Sequence, residues 1–179
     1  MEKYNYIIGI DPGASGGIAS TDGQTVSTAA MPSDLTELGT FLQWVRENYV
    51  SPLILLEKIN IRHDDLAERG KVFRIQKMIE NYANLKAVIT LSGIPLAEVH
   101  PLTWQSRLGL RKTGEEKAER KRRYKEVAQR HYPSVKATMK TCDALLIMRY
   151  GCVLNQSDAK KDKKWLSDNI AFRKSNILL

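Results

Sequence analysis

Tyr6-Ile7-Ile8-Gly9-Ile10 opens the chain with a short apolar run. Runs of similar length follow at Gly17-Ile18-Ala19-Ser20 and Thr25-Val26-Ser27-Thr28-Ala29, separated by Asp11-Pro12-Gly13 and Asp22-Gly23. Asp-Gly between two such runs is a strong hairpin signal, so residues 4–30 predict a three-stranded antiparallel meander. Leu35, Leu38, Leu42 and Val45 then recur at helical spacing between Asp34 and Tyr49, with Ser33 or Asp34 as the cap. Pro52 introduces Leu53-Ile54-Leu55-Leu56, a continuous apolar run of the kind that is buried on both faces of a sheet, and Glu57 ends it. Val72, Ile75, Ile79, Tyr82, Leu85, Val88 and Ile89 predict a long helix over 70–92, stopped by Gly93. A strand over 96–99, a short helix from Pro101, a basic loop over 109–114, a charged helix over 115–131 ended by Pro133, and an apolar helix over 138–153 complete the pattern. Three hairpin strands followed by alternating helices and strands make an α/β protein, a mixed sheet with helices on its faces.

A chain of 179 residues fits one compact domain, expected over residues 1–153, with a basic tail over 154–179. The tail has Trp165 and Phe172 as its only aromatic anchors and is expected to be peripheral. Residues 1–6 lack the apolar stretch of a secretory signal, and no run approaches the roughly 18 apolar residues of a membrane span. Cys142 and Cys152 make no disulfide framework, and with His63, His100 and His131 they show no zinc spacing. The expectation is a soluble cytoplasmic protein without a membrane partner. Lys and Arg exceed Asp and Glu by 28 to 20, a net charge of +8 that favours a polyanionic partner.

Three acids stand out because each abuts an apolar core run. Asp11 sits at the exit of the first strand, on the sheet edge where open α/β proteins bind ligands. Glu57 ends the most hydrophobic strand, where a carboxylate is costly to desolvate unless it meets a cation. Asp143 begins Asp143-Ala144-Leu145-Leu146-Ile147-Met148. Taken singly, each has an ordinary structural reading as turn former, strand-end acid or first-turn acid. Together, carboxylates converging at one sheet edge repel one another unless a divalent cation neutralises them. Hard oxygen donors suit Mg²⁺, with Mn²⁺ as a substitute, and two such ions about 3.5 to 4 Å apart catalyse phosphodiester hydrolysis.

The excess positive charge is concentrated. Between Arg107 and Lys136 there are eleven Lys or Arg and four Glu. On a helical wheel Tyr124, Val127, Ala128 and His131 form one face that must pack on the core, and Lys117, Arg120 and Lys121 fall at the same azimuth. Cations cannot enter a core unpaired, so the first turns are expected to overhang it and project into a cleft as DNA-binding residues.

Ile7 to Gly13 with Gly16-Gly17-Ile18-Ala19, then Leu56-Glu57, then Val99-His100-Pro101-Leu102-Thr103-Trp104 with Gly114 to Lys117, then Asp143-Ala144-Leu145-Leu146 resemble, in that order, the RuvC-type Holliday junction resolvases of the RNase H-like superfamily. The resemblance runs over about residues 5–150 and is closer to phage or prophage-type members. It implies an RNase H-like fold, a homodimer, and Mg²⁺-dependent paired nicking of four-way DNA junctions. It also implies metal-ligand and catalytic roles for Asp11, Glu57 and Asp143, and a DNA-phosphate role for Lys117. The chain departs from the family at two positions. Lys140 stands where a fourth carboxylate is usual, one helical turn before Asp143. It either points into the site or swings out to solvent or to a DNA phosphate. The second metal site is then weak, or Asp64 or Asp65 supplies a ligand, or activity is impaired. Gln105 stands where Lys is common, with Arg107 nearby as a substitute for DNA binding. The main alternative is a junction-binding protein of the same fold without chemistry. An actin-like ATPase or sugar kinase, which shares the βββ start, needs a second domain that 179 residues do not hold.

Overall fold

The computed structural model describes residues 3–61 and 69–170; Asp64, Asp65, Phe172, Arg173 and Lys174 lie outside the described residues. In chain order the elements are β1 (Tyr6–Asp11), β2 (Gly17–Thr21), β3 (Val26–Ala30), α1 (Leu35–Asn48), β4 (Pro52–Glu57), α2 (Arg69–Leu91), β5 (Leu96–Val99), α3 (Pro101–Arg107), α4 (Lys117–His131), α5 (Cys142–Gln156) and α6 (Lys160–Asn169). The five strands form one sheet in the order β3-β2-β1-β4-β5. β1 pairs antiparallel with β2, and β2 with β3, while β1–β4 and β4–β5 are parallel. This is the mixed sheet that the sequence predicts, an antiparallel meander continued by parallel strands.

Strand periodicity divides the core in two. Side chains alternate between faces along a strand, so Ile8, Ile10, Ile54, Leu56 and Leu96 share one face. They pack against Leu38, Leu42 and Val45 of α1 and Leu85 and Ile89 of α2. Ile7, Leu53, Leu55, Ala97 and Val99 share the other face, with Trp104, Tyr124, Ala128, Leu145, Met148 and Leu166 from α3 to α6. The unbroken apolar run of β4 is thereby buried on both sides. The Asp34 carboxylate caps α1 by accepting from the Thr36 N–H at 2.8 Å.

α5 crosses β1 at unusually close range, and a glycine on each element permits it. A Cβ on Gly9 would collide with the Met148 backbone nitrogen and lie 2.5 Å from the Ala144 carbonyl oxygen; one on Gly151 would lie 2.5 Å from Leu55 Cδ1. The contact lays the first turn of α5 beside the carboxyl end of β1.

Two segments differ from the sequence pattern. The first half of α2 does not pack as its apolar positions predict: Val72, Ile79 and especially Phe73, 76% exposed, face outward. A helix of 23 residues is about 34 Å long, whereas a six-residue strand spans about 20 Å, so α2 outruns the sheet it covers. The segment read as peripheral tail instead forms α6, which buries Leu166 in the α5-side core. Ile170 bridges Ala97 beyond the helix. Among the described residues no helix is long and apolar enough to cross a membrane.

Candidate active site

Strand parity and parallel register place two of the three acids before any side-chain contact is considered. Ile7, Gly9 and Asp11 share the α5 face of β1, and Leu53, Leu55 and Glu57 share the α5 face of β4. Since Gly9 pairs with Leu55 and Ile10 with Leu56, Asp11 and Glu57 leave neighbouring strands at the same level. Adjacent strands lie about 4.8 Å apart, so the two carboxyls meet. Asp143, second residue of α5, arrives from above through the close crossing of α5 over β1. There it also faces the favourable end of the helix dipole.

The cation that reaches the acids is Lys121. Its ammonium lies 2.5 Å from Asp143 Oδ2 and 3.7 Å from Asp11 Oδ2. The second Asp143 oxygen, Oδ1, accepts from the Cys142 thiol at 3.3 Å. Glu57 is held from behind, its Oε1 accepting from the indole N–H of the fully buried Trp104 at 3.0 Å. Trp104 in turn packs edge-on against Tyr124, ring centres 5.6 Å apart.

The electrostatics follow from burial and crowding. Burial, and then the charge of Asp143, pushes the Asp11 carboxyl up to about 6 in spite of Lys121. Burial, and then the charge of Asp11, pushes Glu57 up to about 8, with the Trp104 N–H pulling the other way. With its carboxyl pushed up to about 8, Glu57 favours its protonated form at neutral pH. Burial, and then the negative charge of Asp143, raises the Cys142 thiol to about 12, which keeps it a protonated donor.

Three partly buried carboxyls are chemically apt for a hard divalent cation, and the Lys121 ammonium lies against two of them. As the side chains stand, no three His, Cys, Asp or Glu among the described residues are drawn together closely enough to enclose an ion.

The remaining residues marked by the sequence fall in different places. Lys117 and Arg120 are exposed on the first turn of α4, as a phosphate-binding role requires. Lys121, expected beside them on the DNA, instead turns into the carboxylate site. On the predicted core face of α4, Tyr124 and Ala128 are buried and Val127 partly so, but His131 is exposed. Arg107 is engaged elsewhere, its guanidinium 2.6 Å from Asp162 Oδ2 of α6. Lys140 does not share a helical face with Asp143, because α5 begins only at Cys142. A turn closed by Thr138 and Thr141, whose hydroxyl oxygens lie 3.0 Å apart, precedes the helix and leaves Lys140 exposed. The pattern also gave no sign of Arg123, which bonds Glu115 at 2.6 Å and the Leu110 carbonyl at 2.8 Å and so ties down the loop before α4. On the helical wheel Arg123 borders the Tyr124–Val127 face, whereas the exposed Arg122 lies opposite it.

No protein-family model and no curated protein matches the chain. Among solved structures it is similar to T. thermophilus RuvC in complex with a Holliday junction substrate, at 12% identity and a TM-score of 0.48, covering 82% of this chain and 92% of that one. It is likewise similar to a second Thermus thermophilus RuvC structure, at 14% identity and a TM-score of 0.47, covering 81% and 92%.

Proposed function

We propose that the protein is a structure-selective endodeoxyribonuclease that resolves four-way DNA junctions by divalent-metal-dependent phosphodiester hydrolysis. The observation that carries this reading is the meeting of Asp11, Glu57 and Asp143, from β1, β4 and α5, beside the cationic first turns of α4. The order of motifs through which the sequence resembles the RuvC-type resolvases supports the choice of a junction as substrate. Lys117 and Arg120, at the positive end of the α4 dipole, bind backbone phosphates and bring the strand to the acids. Asp11 and Glu57 would hold Mg²⁺, or Mn²⁺ in its place, with Asp143 as the third acid. The ion supplies Lewis-acid polarisation of the phosphate and a water of lowered pKa. Glu57 gives up the proton on its carboxyl when it becomes a ligand. Trp104 fixes the Glu57 carboxyl and closes the site to water from the core side. Asp143 orients the Lys121 ammonium toward the space where a phosphate oxygen would carry negative charge.

A four-way junction is symmetric and requires two matched nicks, which a homodimer supplies. The outward-facing Val72, Phe73 and Ile79 of α2 support that assembly. A monomer in sedimentation equilibrium at micromolar concentration would remove it. The basic tail is proposed to be an accessory to the nuclease domain rather than part of its site.

One observation favours a second reading, a junction-binding protein without chemistry: the Lys121 ammonium already occupies space between two of the acids. Incubation with a synthetic four-way junction and a linear duplex of the same sequence, in Mg²⁺ and in EDTA, separates the two. Mg²⁺-dependent nicks confined to the junction are expected. Tight junction binding with no nick in any divalent ion establishes the second reading instead.

A further inference from the structure

The site contains a cation of its own, and its position sets how many metal ions there is room for. Resting on the nuclease reading above, we propose that the Lys121 ammonium is a built-in substitute for one of two metal ions, so that the site takes a single divalent ion, on the Asp11–Glu57 side.

Three observations lead there. Lys121 contacts Asp143 and Asp11 at 2.5 and 3.7 Å, the bridging position between α5 and β1 that a second cation would need. Both Asp143 oxygens already face a donor, Oδ2 the Lys121 ammonium and Oδ1 the Cys142 thiol at 3.3 Å. No further acid comes from the start of α5, where Lys140 lies exposed in the turn before the helix. Charge counting agrees. Among the described residues, three ionised carboxylates and one ammonium leave a charge of minus two, which one divalent ion cancels. A site with a fourth carboxylate and no lysine would leave minus four, the charge of two such ions.

The substitution divides the chemistry. An ammonium offers three donors and a point charge, so it stabilises negative charge on a phosphate oxygen. It has no coordination site and cannot acidify a water, so water activation rests with the one ion. Lys121, the fifth residue of α4, also lies one turn after Lys117 on the same helix face.

Manganese binding by the full-length protein, counted by electron paramagnetic resonance, tests this without reference to turnover. Wild type is expected to bind one Mn²⁺ per chain. Lys121→Met keeps the length of the side chain but removes its charge. It should take up a second Mn²⁺ or bind the first at least about tenfold more tightly, since ammonium and metal ion no longer repel across a few ångströms. Its melting temperature in EDTA should fall below that of wild type, because the acids lose their internal counter-ion. Lys121→Arg should keep the count at one. Two Mn²⁺ per wild-type chain, or a Lys121→Met protein with unchanged count and affinity, would overturn the proposal. Junction nicking by a wild type that binds two ions would do so while leaving the nuclease reading intact. A wild type that neither binds Mn²⁺ nor nicks would end both.

Discussion

Trp104 donates its indole N–H to Glu57, and that one bond bears on the whole site. The indole N–H opposes the burial that pushes the Glu57 carboxyl up to about 8. Trp104→Phe keeps most of the ring volume and removes the donor, so Glu57 holds its proton to still higher pH. The alkaline rise in nicking should shift upward, with a stability loss of about 1 to 2 kcal/mol for the lost bond. An unchanged pH–rate profile would show that Glu57 does not have to ionise for the reaction. Glu98 illustrates why an acid on a strand is not by itself a site. It also abuts apolar residues, but on the opposite face, where the Tyr82 hydroxyl and the Lys86 ammonium bond it at 2.7 and 2.8 Å. Those two partners keep its carboxyl below the usual range despite burial. Glu57 and Asp11 have each other instead, and remain raised.

At the level of elements, the site depends on how closely α5 approaches the sheet. Gly9→Ala would press a methyl against the backbone of Ala144 and Met148, which cannot rotate away as a side chain can. A loss of about 1 to 3 kcal/mol in denaturant unfolding is expected. Nicking should fall as well, because Asp143 moves with the helix; a fully active and fully stable variant would show that the close crossing does not position the acid. α4 divides its cations by role. Lys117→Ala or Arg120→Ala should each reduce the slope of log junction affinity against log salt by about one unit. Arg107→Ala should leave the slope alone and lower stability, since it strands Asp162 of α6. An unchanged slope for the first two would make them solvated surface charges. These roles were unevenly legible in the sequence. Their places at the ends of apolar strands marked Asp11 and Glu57, and the hydrophobic runs marked every strand, whereas the parallel register that brings the two acids level is set by the sheet. Azimuth alone could not tell that Lys121 turns inward, because the choice rests on where α4 docks. Nor could it show that Lys140 falls outside the helix, because a threonine-closed turn delays the start of α5.

Taken as a whole, the molecule places its most costly charges together, and on the proposed reading a bound cation relieves them. Asp11 and Glu57 bind protons more tightly folded than unfolded, where their values are 3.8 and 4.5. The folded state therefore holds more protons in this range, and stability falls with rising pH. In EDTA these two groups' contribution to the melting temperature should be greatest below about pH 3.8, fall as pH rises toward about 6 for Asp11 and about 8 for Glu57, and be lost above that. Added Mg²⁺ should reverse the decline, and by more at pH 8 than at pH 6, because binding displaces the proton of Glu57. A melting temperature insensitive to Mg²⁺ at pH 8 would argue that the acids take no metal. The basic tail was the least legible part at this scale, since its lysines read as solvated while Leu166 and Asp162 of α6 are buried against the core. The central claim is that the meeting of three carboxyls is a hydrolytic site on a junction-binding protein. Single-turnover nicking of a four-way junction in Mg²⁺ by wild type, Asp11→Asn and Asp143→Asn tests it most directly, with junction affinity measured alongside. Each substitution should lower the nicking rate at least about 100-fold while affinity stays within a few fold, since a ligand is lost and no phosphate-binding cation is. Full nicking by either variant would contradict the account.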